Sequence, residues 1–221
     1  MLSKYQEALE KLIEEVHAFG KLDREAFALV FEAVKSNDLE KAEEARRLLK
    51  GNHKANATID MNAITTLALY APEASDLRRV VTLIKIASEL SRIGDYIKTH
   101  AKNVRQQIVG EEGGLPVDET CIGFHQSTLR ALDLALEAIL EEDSESLDRI
   151  ARQISVEESK CDDFVSILEK NMIGEICSRP EQADELVERL HVMRKLERVS
   201  DRCVNIVKLA RYALEGGKLK L

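Results

Sequence analysis

The sequence predicts an all-α protein that consists of two tandem three-helix bundles, each built around a long antiparallel helical hairpin. The chain of 221 residues is 33% charged and 4% aromatic, and it contains only three Pro. This composition is typical of amphipathic helices. The order of long helix, proline turn and long helix occurs twice, and a shift of 106 residues lays Leu90, Arg92, Asp95 and Lys102 on residues of the same type. The two halves therefore read as an internal repeat.

Turn-forming residues divide the first half of the chain. Its predicted helices cover residues 3–18, 23–36, 39–70 and 75–108. Gly20 is the predicted break between the first two, and Asp38 is the predicted N-cap of the third. Pro72 ends the third because proline lacks a backbone donor and restricts the residue before it. Gly51 and Gly94 lie inside long helices at similar distances from that turn, so we expect a close helix approach there.

The second half begins after the only stretch that is dense in glycine and proline. Residues 110–117 are the predicted linker between a first domain, residues 1–109, and a second domain, residues 118–221. The predicted helices of the second half cover residues 118–140, 144–177 and 181–215. Pro180 marks the hairpin turn and Gly216 the end of the last helix.

Charge and cysteine usage exclude several classes of protein. The formal net charge of −8 argues against a nucleic-acid binder and against direct contact with anionic lipid, since both need a basic surface. The N-terminal stretch alternates acidic and apolar residues, so we expect neither a signal peptide nor a membrane anchor. No later run approaches the ~20 apolar residues that span a bilayer. The four cysteines have no CxxC spacing, which indicates buried, reduced thiols rather than a zinc-thiolate site.

The most informative stretch of the chain is residues 190–214. Within it Glu197, Asp201 and Asn205 recur every four residues, and this spacing stacks three oxygen-bearing side chains along one side of a helix. The same side carries apolar residues and is therefore not fully solvated. A carboxylate pair in such a place is costly unless something neutralises it.

The register of the second hairpin follows from its turn, because antiparallel residues equidistant from a tight turn lie side by side. A turn centred near Pro180 brings Glu158 and Asp162 against the acidic face of the last helix. The carboxylates expected to converge are Glu158, Asp162, Glu197 and Asp201. Like charges this close cannot all remain ionised without cations. Either arginines of the last helix or a metal ion must neutralise them.

The first hairpin predicts a poorer site. A turn centred near Glu73 places His53 close to Asp95. Ser91 stands at the position that matches Glu197, so one carboxylate of the row is lost. The first site therefore carries less charge than the second.

Three segments together resemble a known family. Residues 196–201 read LERVSD and precede the pair Asn205-Ile206, residues 90–95 read LSRIGD, and residues 71–78 read APEASDLR. They are similar to the E/DxxxD motifs and the preceding turn of the PhoU family of phosphate-signalling regulators. The resemblance covers nearly the whole chain and implies two three-helix bundles of internal repeats.

The resemblance also implies metal at the acidic faces, as the iron or zinc clusters of that family. Hard oxygen ligands leave magnesium and manganese open as well. Ser91 and His53 depart from the family pattern. At the first site we therefore expect either a mononuclear ion on His53 and Asp95 or no metal.

By the same resemblance, the protein is expected to be a cytoplasmic regulator rather than an enzyme. Its implied partners are the ATPase of a phosphate ABC transporter and a sensor histidine kinase, which it would hold in a non-signalling state when phosphate is plentiful. It would reach the membrane only through these partners. A homodimer is compatible with this expectation.

Three other interpretations stay open. In one, the acidic residues form internal ion pairs with Arg194, Arg198 and Arg202 and bind no metal. In another, the ExxH spacing of residues 14–17 and 188–191 belongs to a carboxylate-bridged metal oxidase of the ferritin type. Residues 188 and 191, however, lie ~120–180° around the helix from the acidic row. The third interpretation is a metal-free helical adaptor.

Overall fold

The computed structural model describes residues 2–110 and 117–217, and every regular element within these ranges is helical. The helices are α1 (Leu2–Ser36), α2 (Leu39–Leu48), α3 (Asn52–Tyr70), α4 (Ala74–Val109), α5 (Glu119–Leu140), α6 (Ser144–Ser178) and α7 (Ala183–Glu215). Short 3₁₀ turns at Leu49–Gly51 and Pro180–Gln182 join α2 to α3 and α6 to α7.

The helices form two three-helix bundles, and the predicted fold class is confirmed. In the first bundle α1 packs against α2 and α3, which together form one side, and against α4. In the second bundle α5, α6 and α7 all pack against one another. Each bundle contains a long antiparallel hairpin, α3–α4 in the first and α6–α7 in the second. Of the predicted linker, residues 111–116 lie outside the described part of the chain.

Aspartate caps begin three of the helices, and the predicted N-cap Asp38 is one of them. Asp38 accepts hydrogen bonds from the backbone N–H groups of Glu40 and Lys41 at the start of α2. Asp118 accepts from the N–H of Cys121 at 2.7 Å, and Asp143 accepts from that of Ser146 at 2.8 Å. These bonds satisfy backbone donors that have no partner within the first turn of a helix.

The predicted break at Gly20 is wrong, because α1 runs without interruption from Leu2 to Ser36. Glycine costs ~1 kcal/mol relative to alanine inside a helix. Here it permits close packing instead of ending the helix. A Cβ at Gly20 would lie 2.5 Å from Leu136 Cδ2 and 3.1 Å from Leu90 Cδ2. Three helices from both bundles thus meet at this residue.

The long helix predicted over residues 39–70 is also divided, because the 3₁₀ turn at Leu49–Gly51 separates α2 from α3. The expected approach of Gly51 to Gly94 is only half correct. A Cβ at Gly51 would meet nothing within 4 Å, whereas one at Gly94 would lie 2.7 Å from both Asn52 Nδ2 and Asp23 Oδ1. Gly94 is therefore the residue that permits a close approach.

The two bundles pack directly on each other. Contacts between α4 and α7 and between α1 and α5 join them, and one apolar core runs through both. At this boundary the fully buried rings of His100 and His125 are linked, with their Nε2 atoms 2.9 Å apart. His125 Nδ1 donates to the backbone carbonyl of Cys121 at 2.8 Å, so its Nε2 accepts from His100. Two neutral imidazoles thus connect α4 to α5.

In the described ranges, no helix is long and apolar enough to cross a membrane.

Candidate metal centre

The α6–α7 hairpin brings together three carboxylates. Glu158 and Asp162 stand one turn apart on α6, and Asp201 faces them from α7. Each offers a carboxylate oxygen, and the three oxygens all lie within 4.8 Å of one another. In the described part of the chain this is the one such group of three or more His, Cys, Asp or Glu residues. The hairpin register predicted from the turn at Pro180 is confirmed.

Glu197 is the fourth predicted carboxylate and lies at the edge of this group. It lines the same open groove between α6 and α7 as Asp162 and Asp201. It does not belong to the group of three whose oxygens lie within 4.8 Å. Glu197 is therefore a neighbour of the group rather than a member of it.

The four acids repel one another at a site that is only partly shielded from solvent, since Glu158 is half-buried and Asp162 and Asp201 are exposed. Burial is the first cause that raises the pKa of Glu158, and the nearby charges of Asp162 and Asp201 add to it. Burial is also the largest cause of the raised pKa of Glu197 and of Asp201, and the charge of Asp162 raises both pKa values further. The pKa of Asp162 is raised by burial and then by Asp163. A bound cation would remove this repulsion.

The arginines of α7 have other partners. Arg194 donates to Glu169 at 2.6 Å. Arg202 donates to Glu89 of α4 at 2.7 Å, across the boundary between the bundles. Within the described residues, no Lys or Arg nitrogen lies within 4.0 Å of a carboxylate oxygen of the four acids. Arg202, Arg198 and Lys208 lower the pKa of Asp201 only from a greater distance. An internal salt-bridge network is therefore not what neutralises these acids.

The donor set at this centre consists of carboxylate oxygens. Oxygen ligands suit hard cations such as Mg²⁺, Mn²⁺ and Ca²⁺, and carboxylates also bind iron. Zinc sites more often include His or Cys, which the group of three lacks. The residues present thus fit a hard divalent cation or iron better than zinc.

The first hairpin also brings its predicted pair together, but with fewer ligands. His53 Nε2 lies 3.3 Å from Asp95 Oδ1, and the two side chains are 77% and 43% exposed. No third acid, His or Cys of the described chain joins them in a group of three. A solvent-exposed polar contact between the two side chains explains this distance without a metal.

Asparagine replaces glutamate on the helix that precedes the first turn. The shift of 106 residues pairs Asn52 with Glu158, and Asn56 with Asp162. Asn52 is buried, and its Nδ2 donates to the backbone carbonyl of Ser91 at 2.6 Å. In the first hairpin a neutral hydrogen bond therefore joins the two helices where the second hairpin has facing carboxylates.

The two hairpins also correspond to a duplicated family domain. A family model described as the PhoU domain matches the chain twice, over residues 16–104 and 124–210. These two matches cover both bundles. The chain belongs to the PhoU family.

Relatives within the PhoU family match along nearly the whole chain. The phosphate-specific transport system accessory protein PhoU of Serratia marcescens is 28% identical over 216 residues, which cover 96% of this chain and 85% of the relative. A PhoU homolog of Streptococcus pneumoniae with the same description is 27% identical over 224 residues and covers 99% and 98% of the two chains.

Solved structures of PhoU proteins share the fold. The phosphate transport system regulatory protein PhoU from Streptococcus pneumoniae superposes with a TM-score of 0.84 at 25% identity and covers 98% of this chain and 100% of its own. PhoU from Pseudomonas aeruginosa gives a TM-score of 0.85 at 22% identity, with 96% and 100% covered, which supports the fold alone.

The sequence analysis did not identify Asp23, a buried acid of this PhoU chain. Asp23 is 0% exposed on α1, and neither carboxylate oxygen has a hydrogen-bond partner among the described residues. Burial, and then the charge of Asp95, raises its pKa well above the ordinary value. The mistaken break at Gly20 made Asp23 look like the start of a helix. With α1 continuous, Asp23 falls on the apolar stripe of Phe19 and Phe27, and this is the signal that identifies it.

The ExxH residues do not contribute to the carboxylate group of this PhoU chain. Glu188 lines a different groove, together with Asn103 and Gln106 at the end of α4. His191 is exposed. Burial and the charge of Lys21 lower the pKa of His17 on α1. The sequence argument that separates these residues from the acidic row agrees with the structure.

Proposed function

We propose that this chain is a regulatory accessory protein of a phosphate uptake system, and that it acts by binding other proteins rather than by catalysis. Two PhoU domains cover both bundles, and relatives that match 96–99% of the chain are described as accessory proteins of phosphate-specific transport. The duplicated domain supports this proposal most directly. The regulated anion is then phosphate.

The proposed partners are the ATPase of the phosphate ABC transporter and a sensor histidine kinase. Regulation of two-component signalling requires contact with the kinase, and regulation of uptake requires contact with the transporter. Both contacts would take place in the cytoplasm, where these partners expose their soluble domains. The protein would hold the kinase in its non-signalling state when phosphate is abundant.

The proposed metal site consists of Glu158, Asp162 and Asp201, with Glu197 as an additional ligand. The convergence of three carboxylates without a paired cation supports it. The ion would neutralise the facing carboxylates and so hold α6 to α7, which is a structural role. His53 and Asp95 stay a predicted mononuclear site of the first bundle, with fewer ligands to hold an ion.

Substitution of Asp201 tests the metal site. Asp201→Asn removes one of the three converging charges, so we expect the affinity for Mn²⁺ to fall at least about 100-fold, equivalent to about 2.7 kcal/mol. Isothermal titration calorimetry and elemental analysis measure this change. Glu188→Gln, a neutralised acid on the same helix but in a different groove, is the matched control and should bind Mn²⁺ as the unaltered chain does.

Thermal unfolding separates the open alternatives. A site that binds only the folded state raises the melting temperature when metal is added. A melting curve that chelation leaves unchanged would favour the metal-free adaptor. Oxygen consumption by the Fe²⁺-loaded protein would favour the metal oxidase, and a flat oxygen-electrode trace would count against it.

Pull-down of the purified transporter ATPase and of the cytoplasmic part of the kinase tests the partners. We expect both to be retained by the immobilised chain, and retention should be compared before and after chelation. Unchanged retention after chelation would show that partner binding does not depend on the metal. Retention of neither partner would contradict the regulatory proposal itself.

A further inference from the structure

Arg202 of the second bundle is bound by two residues of the first bundle. Its Nη1 donates to Glu89 Oε2 at 2.7 Å, and its Nη2 donates to the hydroxyl of Tyr96 at 3.3 Å. The guanidinium carbon also lies 5.4 Å from the centre of the Tyr96 ring, over its face. We call Glu89 and Tyr96 the α4 acceptor pair. The side chains of Arg202 and Glu89 are only 18% and 15% exposed, so α4 fixes the direction of this largely buried arginine.

Arg202 also lies beside the carboxylates of the proposed metal site. It follows Asp201 directly on α7, and its positive charge lowers the pKa of Asp201 without a contact within 4.0 Å. The hairpin register that brings Glu158 toward Asp201 places Glu158 opposite Arg202 on the neighbouring helix. The long, flexible side chain of an arginine can reach several groups from one backbone position. The α6–α7 carboxylates are therefore alternative partners for Arg202.

The hydrogen bonding of Arg202 depends on α4. Its Nε is buried and has no hydrogen-bond partner among the described residues, while both acceptors of its two Nη atoms belong to α4. A guanidinium carries five N–H donors, and a buried charge that is short of partners is costly. Loss of the α4 acceptor pair would therefore drive Arg202 toward the nearest carboxylates, which are those of the α6–α7 hairpin.

The internal repeat shows that this contact is asymmetric. Helices α4 and α7 are counterparts in the repeat, and they pack against each other across the boundary between the bundles. The shift of 106 residues pairs Tyr96 with Arg202, so two matching positions meet there. An arginine at both positions would bring like charges together. Tyrosine instead offers a hydroxyl acceptor and a ring face, and the first bundle can thus bind the arginine of the second.

We propose that the α4 acceptor pair keeps the α6–α7 carboxylates available to a cation by binding Arg202. This inference rests on the metal site proposed above. Arg202 has two alternative sets of partners, and a cation competes with it for the carboxylates. Binding of Arg202 to α4 therefore favours the cation, whereas its release favours an internal ion pair. Glu89 and Tyr96 are positioning residues that never touch the ion, and they couple metal binding on the second bundle to the packing of the first.

Calorimetric titration with Mn²⁺ tests the proposal. Glu89→Met/Tyr96→Phe removes both acceptors of α4 and keeps most of the side-chain volume. We expect the apparent affinity to fall about fivefold, which is the effect of an arginine that occupies the carboxylates in about four of five molecules. Addition of Arg202→Met to the same variant should restore the affinity, because the competing cation is then absent. Circular dichroism checks that each variant is folded.

Asp133→Asn is the matched control. Asp133 accepts from Arg24 at 2.8 Å across the same boundary, but on α5 and α1, so its loss should leave the Mn²⁺ affinity unchanged. An unchanged affinity in Glu89→Met/Tyr96→Phe would overturn the proposal. So would a loss that persists after Arg202→Met, since it would act through packing and not through the arginine.

A milder substitution covers the case in which the double variant does not fold. Glu89→Gln removes the charge that binds Arg202 but keeps the shape of the side chain and one acceptor oxygen. It should lower the apparent Mn²⁺ affinity about twofold, because fewer of the arginine side chains are then released. Arg202→Met should again restore the affinity, and a loss that it does not restore would contradict the proposal.

Urea unfolding without metal separates this inference from the proposed metal site. In the unaltered chain, Glu158→Gln should change the unfolding constant by the same factor with and without Arg202→Met. In Glu89→Met/Tyr96→Phe, the factor should be about fivefold larger while Arg202 is present, because Glu158 then binds it. This coupling in a chain that binds no Mn²⁺ would remove the metal site and leave the release of Arg202. Absence of the coupling in a chain that does bind Mn²⁺ would overturn the present inference alone.

Discussion

The α3–α4 and α6–α7 hairpins share a register but join their helices in different ways. In α6–α7, Glu158, Asp162 and Asp201 face one another. Burial raises the pKa of all three, and the charges of the group raise those of Glu158 and Asp201 further. In α3–α4, the amide of Asn52 donates to the carbonyl of Ser91 instead. The first hairpin therefore needs no cation at this position, whereas in the second hairpin a bound cation would relieve the repulsion between the carboxylates. One hairpin is thus joined by a neutral hydrogen bond, and the other carries the carboxylates of the proposed metal site.

The interiors of the two hairpins also differ at the position of Gly94 in α4. Gly94 allows the side chains of Asn52 and Asp23 to approach α4 closely. Its counterpart on α7 is Ser200, which is fully buried and donates its hydroxyl to the carbonyl of Glu197 at 2.6 Å. Because Gly94 has no side chain, the polar side chain of Asn52 on α3 can pack against α4 inside the first hairpin.

Acid should weaken the boundary that holds the two hairpins in one body, and this is the largest effect we expect. Burial lowers the pKa of His125 from 6.5 to about 4, and it lowers that of His100 well below the ordinary value. Both rings are neutral in the folded state, whereas an unfolded chain takes up protons below pH 6.5. The free energy of unfolding therefore has its full value, as far as these two histidines are concerned, above pH 6.5, and it decreases as the pH falls toward 4. The part from His125 alone is about 3 kcal/mol.

Urea unfolding at pH 7 and pH 4.5 measures this loss. The double variant His100→Leu/His125→Phe should show a smaller difference between the two pH values than the unaltered chain. His191→Gln, which changes an exposed histidine, should leave the difference as it was. Equal pH dependence in all three proteins would show that the buried pair does not titrate as described.

Gly94→Ser tests the interior of the first hairpin by copying the residue of the second. The added Cβ would lie 2.7 Å from both Asp23 Oδ1 and Asn52 Nδ2, so one of these buried groups must move. We expect a loss of about 2 kcal/mol in the free energy of unfolding. The reciprocal change, Ser200→Gly, creates no clash and should cost ~1 kcal/mol or less, mainly through helix propensity. Equal losses in the two variants would mean that Gly94 has no special packing role.

Glu197→Ser copies Ser91 into the second hairpin and should have the smallest effect. Glu197 lies beside the group of three carboxylates rather than within it. We expect the affinity for Mn²⁺ to fall about tenfold, which corresponds to about 1.4 kcal/mol. The loss should therefore be well below that of Asp201→Asn when both are measured by calorimetry. An effect as large as that of Asp201→Asn would place Glu197 among the principal ligands.

Several features of the candidate site could be predicted from the sequence. The spacing of four residues between Glu158 and Asp162 and the turn at Pro180 were enough to place the carboxylates together, because helix periodicity and hairpin register are local properties. The same reasoning placed His53 beside Asp95. It failed at Gly20, where a residue with poor helix propensity was expected to end a helix that packing in fact continues.

The pairing of the arginines could not be predicted in this way. Arg202 was an expected neighbour of the acidic row, but its guanidinium reaches Glu89 and the hydroxyl of Tyr96 on the other bundle. A long flexible side chain can reach several groups from one backbone position. Which of them it contacts depends on how the two bundles pack, and no local pattern contains that information.

The sequence by itself determined the all-helical class, the internal repeat and the acidic face of α7, because these follow from composition and from side chains that recur at the helical period. The tertiary structure alone decided that Asp23 is buried without a hydrogen-bond partner among the described residues, and that Asn52 joins the two helices of the first hairpin. Burial and pairing depend on which distant segments meet. The energy of a polar or apolar side chain is therefore set by the packed fold and not by its neighbours along the chain.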